Sequence, residues 1–258
     1  MFHNPKSRGR QMRGSRNQRK GKGKGNKTRN NQTTTQSITQ ITKKMKGRPC
    51  IILLGGSFNP PHKAHFELLK LAKQHLENQG LIVQKCHMVV STDKYLIKKM
   101  SNKRGNGTGA SNGANDDIIF SEENRIAMCC SGAVEYGNWL HVSEKPYISV
   151  VKFLKKKYKY SQDRIVFIIR GEDKWNSKYI GKKNTGNMRS LYVKRDGSSE
   201  GSNSIEFLHD KPLAPGLSST LIRQLIKESE NLEKTIDELV STGKLNPSVG
   251  KYLLENIC

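Results

Sequence analysis

The strongest constraint on this chain is a junction. Residues 50–56, Cys-Ile-Ile-Leu-Leu-Gly-Gly, make a short continuous apolar run that stops on two glycines, the pattern of a central parallel strand buried on both faces. Ser-Phe-Asn-Pro-Pro follows, and then Phe66, Leu69, Ala72 and Leu76 recur at helical spacing. Parallel strands need crossovers, so a buried strand feeding an amphipathic helix predicts a βαβ unit. The alternation continues. Residues 81–91, 138–144, 164–173 and 189–197 read as strands, and 147–158, 218–229 and 248–256 as helices. A helix over 121–134 starts at Ser121 with Glu122 and Glu123 in its first turn, a capped and dipole-matched start. The expected fold class is α/β, a Rossmann-like doubly wound parallel sheet. It forms a single domain over 49–258, interrupted by a low-complexity mobile loop at 101–117.

Charge sets off a second region. The chain carries 46 Lys and Arg against 22 Asp and Glu, a formal net charge of +24. Residues 1–48 hold 15 of those cations and no acid, and the remaining 31 cations face all 22 acids. This segment is polar, rich in Gly, Asn and Gln, and too poor in apolar surface to offset the entropy of ordering it. It is expected to be a disordered basic tail. A nuclear address, an arm for RNA or another polyanion, a presequence and a plain solvated charge run compete as its role. The Lys-Gly-Lys-Gly stretch is a poor helix, which counts against the presequence. The longest apolar runs are too short to span a membrane. Five cysteines without a CxxC pair argue against a disulfide framework and a zinc site. The composition thus reads as soluble and intracellular, in nucleus or cytoplasm, with a homo-oligomer left open.

The junction itself carries chemistry. Gly55 and Gly56 would let a polyphosphate approach the main chain, and the next helix N-terminus attracts anions. His62 and His65 stand three apart at that helix start, so both imidazoles face one way and offer donors, partly charged near neutral pH, to phosphate oxygens. A metal pair is the rival reading, but no third ligand stands nearby.

Gly-Ser-Phe-Asn-Pro-Pro-His-Lys-Ala-His, residues 56–65, resembles the GxFxPxHxGH signature of the nucleotidyltransferase superfamily, with Ala64 in the place of a glycine. Residues 216–226, with Ser218, Ser219, Thr220 and Arg223, resemble the ISSTxIR motif of the nicotinamide and nicotinate mononucleotide adenylyltransferases. Hydroxyls and amides at a helix start, with an Arg fork one turn on, suit phosphate; an ordinary Ser cap with a surface Arg is the bland alternative.

The resemblance implies transfer of AMP from ATP, with Mg²⁺ carried on its phosphates, to nicotinamide or nicotinate mononucleotide, releasing pyrophosphate. It implies His62, His65 and Arg223 as catalytic groups, and an ATP site of Gly56, Ser57, Phe58, His65, Ser218, Ser219, Thr220 and Arg223. The mononucleotide side would comprise Lys94, Tyr147, Ser149, Gly171, Asp173 and Trp175. Here Gly171-Glu172-Asp173 stands for the family's GAD, and Trp175 would stack on a pyridine ring, with core packing as its alternative. Arg125, in an R-x-x-M segment, would touch substrate. A related transferase for another phosphorylated acceptor, or a non-catalytic nucleotide- or RNA-binding relative, shares most of these residues.

Overall fold

The computed structural model describes residues 46–105, 118–145, 152, 164–171, 187–193 and 214–257. Five parallel strands form one sheet: β1 (Pro49–Gly56), β2 (Ile82–Val90), β3 (Leu140–Ser143), β4 (Ile165–Gly171) and β5 (Met188–Val193), in the spatial order β3-β2-β1-β4-β5. The chain winds outward from β1 to β3 and then restarts on the other side of β1 with β4. That reversal places the topological switch between β1 and β4, where ligands enter a sheet of this kind at the carboxyl ends of the strands. The expected Rossmann-like α/β class is the one observed.

The helices are α1 (Lys63–Asn78), α2 (Asp93–Gly105), α3 (Glu122–Ala133), α4 (Ser219–Lys227), α5 (Leu232–Ser241) and α6 (Pro247–Ile257). On one sheet face Ile52, Leu54, Met88 and Phe167 meet Phe66, Leu69 and Leu76 of α1, Met128 and Cys129 of α3 and Ile222 of α4 in a single buried cluster. On the other face Ile51, Leu53, Val89, Val166, Ile168 and Met188 form a second cluster. Burial on both faces explains why β1 and β4 read as unbroken apolar runs rather than alternating ones. Ser121 caps α3 as expected, its Oγ accepting from the Asn124 amide at 3.2 Å.

Two boundaries and one helix differ from the sequence expectation. The domain begins before residue 49, because the Gly47 amide donates to the Gly80 carbonyl and the Arg48 carbonyl accepts from the Ile82 amide. Helix α2 runs to Gly105, into the stretch expected as a loop, while 106–117 lie outside the described residues. Helix α5 was not anticipated. It is capped by Asn231, whose Oδ1 accepts from the Lys234 amide at 3.0 Å, and it buries Ile236 and Leu239.

Candidate active site

The connection from β1 to α1 lies at the switch point and is held from two sides. Asn59, 2 % exposed, accepts from the Phe120 amide at 2.9 Å and donates to the Ile118 carbonyl at 3.0 Å. From the other side, Ser219 Oγ donates to the Pro60 carbonyl and Arg223 Nη1 to the Asn59 carbonyl, both at 2.8 Å. The two sequence motifs, about 160 residues apart, therefore meet through side chain-to-backbone bonds. The Asn59-Pro60 peptide is cis, and Phe58 lies at φ +47°, a backbone region uncommon for a bulky residue.

His62 and His65 are brought together as the i, i+3 spacing implies, their rings stacked with centroids 3.7 Å apart. The His62 main-chain amide donates to His65 Nδ1 at 3.1 Å, so the neutral His65 ring carries its proton on Nε2. Phe58 meets His65 edge-on at 4.9 Å. A metal held between the two histidines does not fit this geometry: the rings lie face to face and one ring nitrogen already accepts from the backbone. Among the described residues no group of three or more His, Cys, Asp or Glu converges on a metal position.

Two expectations about this junction need correction. Burial pulls the His62 imidazole down to about 4 from its ordinary 6.5, so it is neutral near pH 7 rather than partly charged. Its Nδ1 is buried without a hydrogen-bond partner. The space above Gly56 is also not left open for phosphate. A Cβ built there would lie 2.8 Å from two atoms of the Phe58 ring, so Gly56 makes room for Phe58.

Arg223 is 7 % exposed, and its guanidinium also donates to the Ser219 carbonyl at 3.0 Å and to Thr220 Oγ1 at 3.5 Å. It braces the loop from below rather than standing as a surface fork. The Ser218 hydroxyl caps α4, accepting from the Leu221 amide at 3.2 Å. Gly171 ends β4 beside the switch point. Lys94 is exposed on α2, and it is Lys99, farther along the same helix, whose Nζ donates to Ser57 Oγ at 3.2 Å. Tyr147, Ser149, Glu172, Asp173 and Trp175 lie outside the described residues.

Arg125 departs most from expectation. It is 0 % exposed and points into the protein. Nε donates to the Phe120 carbonyl at 2.9 Å, Nη1 to the Ser57 and Ser91 carbonyls at 2.7 and 2.8 Å, and Nη2 to Asp93 Oδ1 at 2.7 Å. A group so enclosed does not reach substrate.

Residues 53–102, from β1 through most of α2, match the family described as Cytidylyltransferase-like. The match covers this stretch alone and includes the β1–α1 junction. No curated protein sequence matches it. Among solved structures, the chain is similar to Plasmodium falciparum nicotinic acid mononucleotide adenylyltransferase complexed with NaAD, at 12 % identity and a TM-score of 0.49, over 80 % of this chain and 95 % of that one. The same enzyme complexed with APC gives 11 % identity and a TM-score of 0.49, over 80 % and 94 % of the two chains. Within the matched residues, β1, its loop and the first turn of α1 supply Gly56, Ser57, Phe58, His62 and His65. Arg125, Ser219 and Arg223, which hold that loop, lie outside the matched residues.

Proposed function

We propose that the chain is an adenylyltransferase that joins ATP to nicotinamide mononucleotide or nicotinate mononucleotide, giving NAD or its deamido form and pyrophosphate. The observation that carries this reading is the meeting of the two motifs: the loop bearing His62 and His65 is bonded directly to Ser219 and Arg223 of the ISSTxIR-like segment. In the proposed reaction the mononucleotide phosphate attacks the α-phosphorus of ATP and pyrophosphate departs. No protein nucleophile is required. The chain's part is to hold two anions in line and to donate hydrogen bonds to the charge that grows on the α-phosphate. His65 is suited to that role by its fixed tautomer, with Nε2–H as donor. Neutral His62, stacked on it, orders that ring and keeps water from its face. Lys99 would add positive charge at the strand end, through its place beside Ser57. Mg²⁺ would enter on the ATP phosphates and screen their charge.

A pyrophosphate-release assay with ATP and a panel of phosphorylated acceptors tests the reading. Release is expected with nicotinamide and nicotinate mononucleotides ahead of phosphopantetheine, choline phosphate and glycerol phosphate. Release with one of those others alone would assign a different acceptor, and no release with any would leave a nucleotide-binding relative without turnover.

A further inference from the structure

Four carbonyls of the β1–α1 loop are occupied by donors from distant parts of the chain. Gly56 O accepts from the amide and hydroxyl of Ser91 at 2.9 and 3.1 Å, Ser57 O from Arg125, Asn59 O from Arg223 and Pro60 O from Ser219. A bare carbonyl oxygen facing a polyphosphate would repel it, and here each of these four is engaged by a hydrogen-bond donor. Arg125, like Ser91, has no part in the proposed chemistry, and it reaches farthest. Its fork joins the loop at Ser57, the end of β2 at Ser91, the start of α2 at Asp93 and the entry to α3 at Phe120.

The Ser57–Phe58 peptide is trans, since the cis bond is the next but one. In a trans peptide the C=O and N–H point in opposite directions. Fixing Ser57 O on the buried guanidinium therefore turns the Phe58 N–H the other way, out of the core. Phe58 at φ +47° occupies a conformation that persists only when its surroundings over-determine it, and the Arg125 fork is one of the restraints that do so.

We propose that Arg125 is a positioning residue of the phosphate site: it sets the Ser57–Phe58 peptide so that the Phe58 amide, and not a carbonyl, faces the triphosphate. It acts through the loop and touches no substrate. Asp93, at 2.7 Å, fixes the fork. A lysine keeps the charge but cannot span four acceptors with one ammonium. This inference rests on the nucleotidyl-transfer reading.

The test is Arg125→Lys in the full chain, with binding of inorganic tripolyphosphate read by calorimetry and KM and kcat read by pyrophosphate release. The expected result, in protein that still melts cooperatively, is a tripolyphosphate Kd and an ATP KM each weaker by about tenfold, the effect of roughly one lost charge-assisted bond. The KM for the mononucleotide should move less. A folded variant with unchanged Kd and ATP KM would overturn the proposal. Should the variant not fold, the wild-type protein decides. Titration with tripolyphosphate should shift the Phe58 amide resonance, and a saturating titration that leaves it in place would overturn the proposal as surely. Wild-type protein that neither binds tripolyphosphate nor releases pyrophosphate would instead contradict the nucleotidyl-transfer reading itself.

Discussion

Replacing Gly56 by alanine should damage the site in a way that separates geometry from stability. The added Cβ would stand 2.8 Å from Cε1 and Cζ of Phe58 and 3.2 Å from Cε2. Ordinary carbon contacts begin near ~3.4 Å, so the ring must retreat by about 0.6 Å. It has little room, being 2 % exposed and set edge-on against His65. Overpacking of this size costs about 1–3 kcal/mol, which lowers Tm by roughly 2–12 °C in a domain this large. The displacement is passed to the imidazole that donates to the reacting phosphate, where a shift approaching 1 Å costs on the order of a hundredfold in rate. Gly250→Ala is the matched control. Its Cβ would lie 2.6 Å from Val240 Cγ2 and 3.2 Å from Ile236 Cγ2, in the contact of α5 with α6. Melting by circular dichroism and pyrophosphate release on both variants should show similar losses of Tm, with kcat/KM reduced for Gly56→Ala alone. Equal kcat/KM in the two folded variants would refute the link from Gly56 through Phe58 to His65.

His65→Ala should lower kcat by well over tenfold with a small change in Tm, because one preorganised donor contributes about 3 kcal/mol to a transition state; an unchanged kcat would remove His65 from the chemistry. Burial holds His62 and His87 at about 4 in the folded chain against an ordinary 6.5. The unfolded chain therefore binds more protons between pH 6.5 and 4, and stability should fall as pH drops through that window while staying flat above it. His62→Asn should reduce the slope of Tm against pH there, and an unchanged slope would count against a buried neutral His62. Deleting residues 1–45, which carry 13 Lys and Arg and no acid, keeps the Gly47–Gly80 bond and should leave turnover within about twofold; if the segment is an arm for RNA, the truncated protein should lose a salt-sensitive affinity for RNA. Full RNA affinity in the truncated protein would rule out the polyanion-arm reading of the segment, and a lost nuclear enrichment in cells would favour a nuclear address.

The strands and the capped start of α3 were legible because their causes are local: continuous apolar runs for β1 and β4, and Ser121 with two glutamates for α3. Helix α5 was missed because only Ile236 and Leu239 of its ten residues are buried, and Asn231 was the cap that could have revealed it. The loop at the switch point was legible as chemistry, through its glycines, prolines and histidines, but its support was not. The resemblance implies Arg125 as a substrate contact and Arg223 as a phosphate-binding catalytic group, and nothing in it points to their bonds with the loop. Both are buried because most of their acceptors are main-chain carbonyls, which leave no mark in the sequence. Asn59 escaped notice for the same reason, since its partners are the backbone of Ile118 and Phe120. Among the lysines of α2, spacing alone could not tell that Lys99, and not Lys94, reaches Ser57 from 42 residues away.

The identity of the product tests the central claim most directly. The full chain is incubated with ATP, Mg²⁺ and either nicotinamide or nicotinate mononucleotide, and the products are resolved by mass spectrometry. The account predicts a dinucleotide bearing the whole AMP unit, formed one-to-one with pyrophosphate and well over tenfold more slowly when His65 is alanine. AMP and pyrophosphate without dinucleotide, or ATP left intact beside both mononucleotides, would contradict it.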